Sequence, residues 1–125
     1  MRYMMMVKAD KDYEAGRPPS PELLAAIGKL SEEMARSGRL VDQGGLRPSS
    51  HGAKVQVSGG KIKVLDGPFS EAKELIGGYA IFELASREEA IELARQFMKL
   101  HADVLGPAFE GEVEVRPMFG PEDFA

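Results

Sequence analysis

The hydrophobic patterns along the chain predict an α+β domain: four strands and two long helices in the order βαββαβ, with a β-hairpin inserted at the middle. Three observations carry this reading. Short apolar runs at 3–9 and 79–84 read as strands, while 20–38 and 86–100 repeat their apolar residues at helical spacing. Between them, "AKVQVSGGKIKV" at 53–64 sets two alternating runs around a Gly-Gly pair. At 125 residues the chain fits one domain, 1–125, with enough burial for a core.

The run "YMMMVKA" is bulky at nearly every position, as a strand with two apolar faces is. Residues 11–19 hold Gly16, Pro18 and Pro19 and are expected as loop. Ser20-Pro21-Glu22 then supplies an N-cap, a proline at the first helical position and an acid in the first turn. Leu23, Leu24, Ile27, Leu30 and Met34 form the buried stripe, and Gly38 the stop. Residues 39–43 are a short strand broken by Gly44-Gly45, and 46–52 a proline-stiffened loop. In the hairpin register, Val57 faces Ile62 and Val55 faces Val64, one apolar face, with Gln56, Lys61 and Lys63 on the other. Ser86 and Glu89 form a capping box for the second helix, whose buried face is Ala90, Ile91, Ala94, Phe97 and Met98. A loop at 101–111, a strand at 112–116 and a tail from Pro117 complete the chain.

Without the hairpin this order is the ferredoxin-like one, helices on one face of an antiparallel sheet. Strands at both 2–9 and 79–84 are apolar on both alternating faces, so the second sheet face needs a cover. A homodimer stacking two sheets face to face supplies it, symmetric pairs being the commonest assembly.

Composition narrows the function classes. Cysteine is absent and histidine occurs twice, as His51 and His101, which removes thiolate chemistry and disfavours a metal site. No cofactor is implied. The balance of 16 basic and 20 acidic residues, a net of −4, argues against nucleic acid as a partner. No apolar run reaches membrane-span length and no export signal precedes the first strand, so a cytoplasmic protein is expected.

The stretch "LDGPFSEAKELIGG" at 65–78 is the most distinctive. Its Asp66-Gly67-Pro68 is turn chemistry, with Phe69 dipping toward the core. Ser70 is placed to cap a short helix over 71–76, stopped by Gly77-Gly78. Backbone donors at such a start attract anions, and Lys73 adds positive charge. Lys8 and Asp10 end the first strand, and Arg47 is a guanidinium able to clamp a carboxylate ligand. His51, among Ser49, Ser50 and Gly52, is a candidate general base; His101, following the second helix, is read as structural.

Taken with "GGLRPSSHGAKVQVSGGKIKV" before it and "AIFELASREEAIELARQF" after it, the segment "DGPFSEAKELIGGY" resembles the YCII-related family, in its D-G-P-F branch. The ends "MRYMMMVKADKD" and "GEVEVRPMFGPEDFA" fit the same pattern, so the resemblance spans nearly the whole chain. It implies a ferredoxin-like fold paired as a dimeric α/β barrel. It also implies a neighbourhood of extracytoplasmic-function sigma factors for some members. An enzymatic branch of the family, similar to a dehydrochlorinase of ring-cleavage products, pairs an aspartate with a histidine on the first helix. Here residues 25–29 hold no histidine, so Asp66 alone carries over, as a pocket carboxylate.

The leading expectation is a homodimer binding a small polar or anionic molecule in a cleft lined by Asp66, Lys8, Arg47 and His51, with Asp10, Ser70 and Lys73 as further ligand-binding candidates and a regulatory role linked to transcription. The alternative is a lyase or isomerase in which Asp66 or His51 takes a proton alpha to a carbonyl. A third reading is an interaction module for a sigma factor.

Overall fold

The computed structural model describes residues 1–70 and 74–124. Its main sheet has four antiparallel strands, β1 (Arg2–Lys8), β2 (Leu40–Gly45), β5 (Ile76–Glu83) and β6 (Val113–Pro117), in the order β2-β5-β1-β6. The remaining strands, β3 (Ala53–Ser58) and β4 (Lys61–Asp66), pair only with each other. A one-turn helix α1 (Lys11–Glu14) follows β1, α2 (Pro21–Arg36) joins β1 to β2, and α3 (Arg87–Leu105) joins β5 to β6. The chain is thus a mixed α+β fold built on antiparallel sheets.

The predicted caps are in place. Ser20 Oγ accepts from Leu23 N–H at 3.2 Å at the start of α2, and Ser86 Oγ from Glu89 N–H at 3.2 Å at the start of α3. Glu89 reaches back to the Ala85 N–H at 3.2 Å, closing the capping box one residue earlier than the motif's usual partner. Gly38, with φ of 76°, adopts the left-handed turn that ends α2.

The helices cover one sheet face. Tyr3 and Met5 of β1, Ala80 and Phe82 of β5, Met34 of α2, and Ala90, Leu93, Ala94 and Phe97 of α3 form the buried cluster, with Val113 and Val115 of β6 packed against it. Each large side chain so buried contributes about 1.5–3 kcal/mol. The alternate residues Met4, Met6, Tyr79 and Ile81 point to the other face, where strand pairing sets Met4 opposite Ile81 and Met6 opposite Tyr79. They are half-buried and lie outside the cluster that α2 and α3 cover.

The structure corrects several expectations. Residues 11–14 are helix, because Asp10 caps them through Tyr13 N–H at 2.7 Å. Leu24 is exposed, so the stripe of α2 is narrower than expected. Gly44 and Gly45 continue β2 rather than breaking it, since the Tyr79 ring lies across Gly44. Likewise Gly77 and Gly78 belong to β5 instead of stopping a helix, and Ile76 is already strand. Of the short helix expected over 71–76, residues 71–73 lie outside the described residues. Finally, α3 continues through 101–105, placing His101 inside the helix, where its Nδ1 lies 2.8 Å from the Phe97 carbonyl and its ring between Phe97 and Phe109.

Candidate functional site

The ends of β1 and β2 and the base of the hairpin meet around two side chains of α1. The hydroxyl of Tyr13 donates to the Gly77 carbonyl at 2.6 Å, with the Leu46 carbonyl beside it. The ring packs beside Gly77, where an added Cβ would stand 3.4 Å from it, ordinary contact distance. Glu14, one residue on, accepts from the Ser49 backbone N–H at 2.8 Å and from the Ser49 hydroxyl. A carboxylate held by two donors is a stronger anchor than a neutral bond.

Ser49 in turn holds the Asp66–Phe69 turn. Its Oγ accepts from Phe69 N–H at 3.0 Å, and Gly67 N–H donates to the Gly52 carbonyl at 2.9 Å. The fit at Gly67 is close enough to exclude any side chain, because an added Cβ would lie 1.8 Å from the Ser49 carbonyl oxygen. Gly67-Pro68 is a cis peptide. The turn therefore clasps the entry of the hairpin to its exit, and Glu14 ties the clasp to the body. Phe69 is half-buried under the Lys54 ammonium, 4.4 Å from its ring centroid, rather than in the core.

Beside Tyr13 opens a shallow cavity of about 320 Å³, lined by Gly16, Arg17, Gly45, Leu46, Arg47 and Pro48 as well. Arg17 pairs with Asp12 at 2.7 Å. Arg47 is exposed and makes no ion pair among the described residues. Two arginines thus line a volume at the small end of ligand pockets.

Of the other expected site residues, none that is described lines this cavity. Lys8 pairs with Glu114 of β6 at 3.6 Å, and Asp10 is spent on capping α1. His51 is exposed at the end of the 3-10 turn Ser49–His51. Asp66, at the end of β4 opposite Ala53, and Ser70 are exposed and make no side-chain hydrogen bond among the described residues; Lys73 lies outside them. Missed in sequence were Tyr13 and Arg17, assigned to a loop; the capping aspartate at 10 was the signal that they stand on or beside a helix.

Two further features frame the site. On the helix-free sheet face, the Tyr79 hydroxyl donates to Asp42 Oδ2 at 3.1 Å, and this bonded carboxylate holds the phenol above its usual value. Between α2 and α3, a groove of about 500 Å³ has Leu30 and Leu100 among Lys29, Glu33, Lys99 and Asp103, charges of both signs. Among the described residues no cluster of His, Asp and Glu is placed to hold a metal ion, and no helix is long and apolar enough to cross a membrane.

These features define a small α+β domain with an arginine-edged cavity at the strand ends and an appended β-ribbon. The YCII-related domain family matches residues 1–106, and the chain belongs to that family. It is also similar to an uncharacterized protein of Rhizobium meliloti (strain 1021), 29% identical over 92 residues, which are 74% of this chain and 69% of the relative.

Proposed function

We propose that the protein is a cytoplasmic homodimer that binds a small anionic molecule in the cavity between Tyr13, Arg17 and Arg47. The observation that carries this reading is a cavity lined by two arginines, Arg17 and Arg47, the second with no carboxylate partner among the described residues, beside Tyr13. A planar guanidinium suits a carboxylate or phosphate group, which it can grip through two N–H donors.

The dimer is two ferredoxin-like sheets stacked by their helix-free faces into an α/β barrel. The strand order β2-β5-β1-β6 and the apolar centre Met4, Met6, Tyr79 and Ile81 support it.

Inorganic phosphate and malonate, titrated separately into 15N-labelled protein, test the site. Amide shifts at 13–17 and 45–47 are expected to saturate with at least one of them. Arg47→Ala is expected to weaken that binding tenfold or more while leaving the melting temperature unchanged, because the side chain is exposed. Shifts that never saturate, or that ignore Arg47, sink the ligand reading.

A further inference from the structure

The most exposed large apolar side chains among the described residues occur in two places. Val55, Val57, Ile62 and Val64 share one face of the β3–β4 ribbon and are 61–72% exposed; Phe119 and Phe124, in the segment after β6, are 81% and 77% exposed, their rings 5.3 Å apart. Two-stranded ribbons are marginal in water unless something packs on them. Four adjacent β-branched side chains expose a patch on the order of 400 Å², a size that marks an interaction surface. The charges are complementary. Residues 53–66 carry Lys54, Lys61 and Lys63 against Asp66, whereas residues 117–124 carry Glu122 and Asp123 and no base. The lysines sit on the ribbon's other face, Lys54 with its ammonium 4.4 Å from the Phe69 ring centroid and Lys61 and Lys63 exposed beside the turn of a ribbon only two strands wide.

Within one chain the two surfaces stand at diagonally opposite corners. The aromatic segment leaves β6, one edge of the sheet, where Pro117 pairs with Tyr3 and Met118 N–H donates to the Arg2 carbonyl at 2.8 Å. The ribbon leaves β2, the other edge, and returns at Ile76 opposite Lys8. At about 4.8 Å per strand and about 3.3 Å per residue, these corners are on the order of 20 Å apart. A two-fold axis lying between stacked sheets along the other diagonal exchanges the corners, bringing each ribbon to its partner's aromatic segment.

We infer that the apolar face of the β3–β4 ribbon is the seat for residues 118–124 of a second copy of the chain, Phe119 and Phe124 packing on Val55, Val57, Ile62 and Val64. The inference rests on the homodimer proposed above and adds a reciprocal arm exchange to it.

The chain has no cysteine, so cross-linking reports chosen positions alone. Val57→Cys and Phe124→Cys chains, each altered at an exposed site, are mixed one to one and treated with a short bis-maleimide, while sedimentation equilibrium gives their mass. A two-chain product from the mixture, well above that from either variant alone, is the expected result. A dimeric mass without that product overturns the arm exchange, leaves the dimer standing and assigns the ribbon to another partner. A monomeric mass overturns both. Closure of one chain bearing both cysteines, at monomer mass, assigns the ribbon to the chain's own tail and overturns the exchange.

Discussion

The four-stranded sheet and the β3–β4 ribbon are built from the same material and end differently. Both are antiparallel and rich in bulky apolar residues, which in β1 and the second half of β5 fill both faces and in the ribbon alternate with polar ones. In the sheet, Tyr3, Met5, Ala80 and Phe82 lie under α2 and α3; in the ribbon, Val57 and Ile62 are each 72% exposed. Alternation says which residues share a face. It does not say what covers that face, which depends on elements distant in sequence or on another chain.

The largest expected effect separates these two regions. Phe97→Ala removes a ring from the helix-covered core and is expected to cost about 3–5 kcal/mol at every protein concentration. Ile62→Ala, on the ribbon, is expected to leave the unfolding of dissociated chains within about 0.5 kcal/mol of the original and to act only through association. Urea unfolding at two protein concentrations distinguishes them; an equal, concentration-independent loss for both removes the distinction.

Glycine substitutions sharpen the contrast at the ribbon's base. Gly67→Ala forces a methyl group against the Ser49 carbonyl and is expected to destabilise by about 1–3 kcal/mol, more if the clasp opens. Gly28→Ala, in α2 with nothing within 4 Å of the new Cβ, is expected to stabilise by about 1 kcal/mol. Melting temperatures that move in the same direction contradict this account of the clasp.

The smallest effect lies on the helix-free face. The folded state holds the Tyr79 proton more tightly than the unfolded state, so this contribution to stability is present below the phenol's ordinary value of 10.0 and is lost as pH rises through the folded value. Asp42→Asn is expected to return the phenol toward 10.0, seen as an earlier rise in the phenolate absorbance curve. Identical curves for the two proteins contradict the pairing.

The ribbon was the most legible element. Gly59 and Gly60, at φ of 56° and 75°, form its turn, and Val57 and Val55 face Ile62 and Val64 as the alternation requires. Both helix starts were equally plain in Ser20 and Ser86. The misreadings share a cause, a local signal overruled by packing that is remote in sequence. Gly44-Gly45 and Gly77-Gly78 read as breaks, yet they lie in paired strands, where the Tyr79 ring fills the space beside Gly44, the Tyr13 ring that beside Gly77, and the Gly44 carbonyl that beside Gly78. His101 read as lying beyond its helix because a polar residue hid the apolar stripe; four residues after Phe97, it occupies a core position between two aromatic rings. The site was legible in part. Arg47 stood out as a guanidinium in a stiff loop, but its neighbours Tyr13 and Arg17 depend on how α1 folds back. The Asp66–Phe69 turn was legible as a turn, while its partner Ser49 was not, since that contact spans the whole hairpin.

Sedimentation equilibrium at micromolar concentration tests most directly the claim that a second copy covers what α2 and α3 leave bare. The expected mass is that of two chains, shifting toward one when Met4 and Ile81 are both replaced by aspartate on the helix-free face. The mass of a single chain for the unaltered protein contradicts it, and the sheet face and the ribbon would then belong to a different partner.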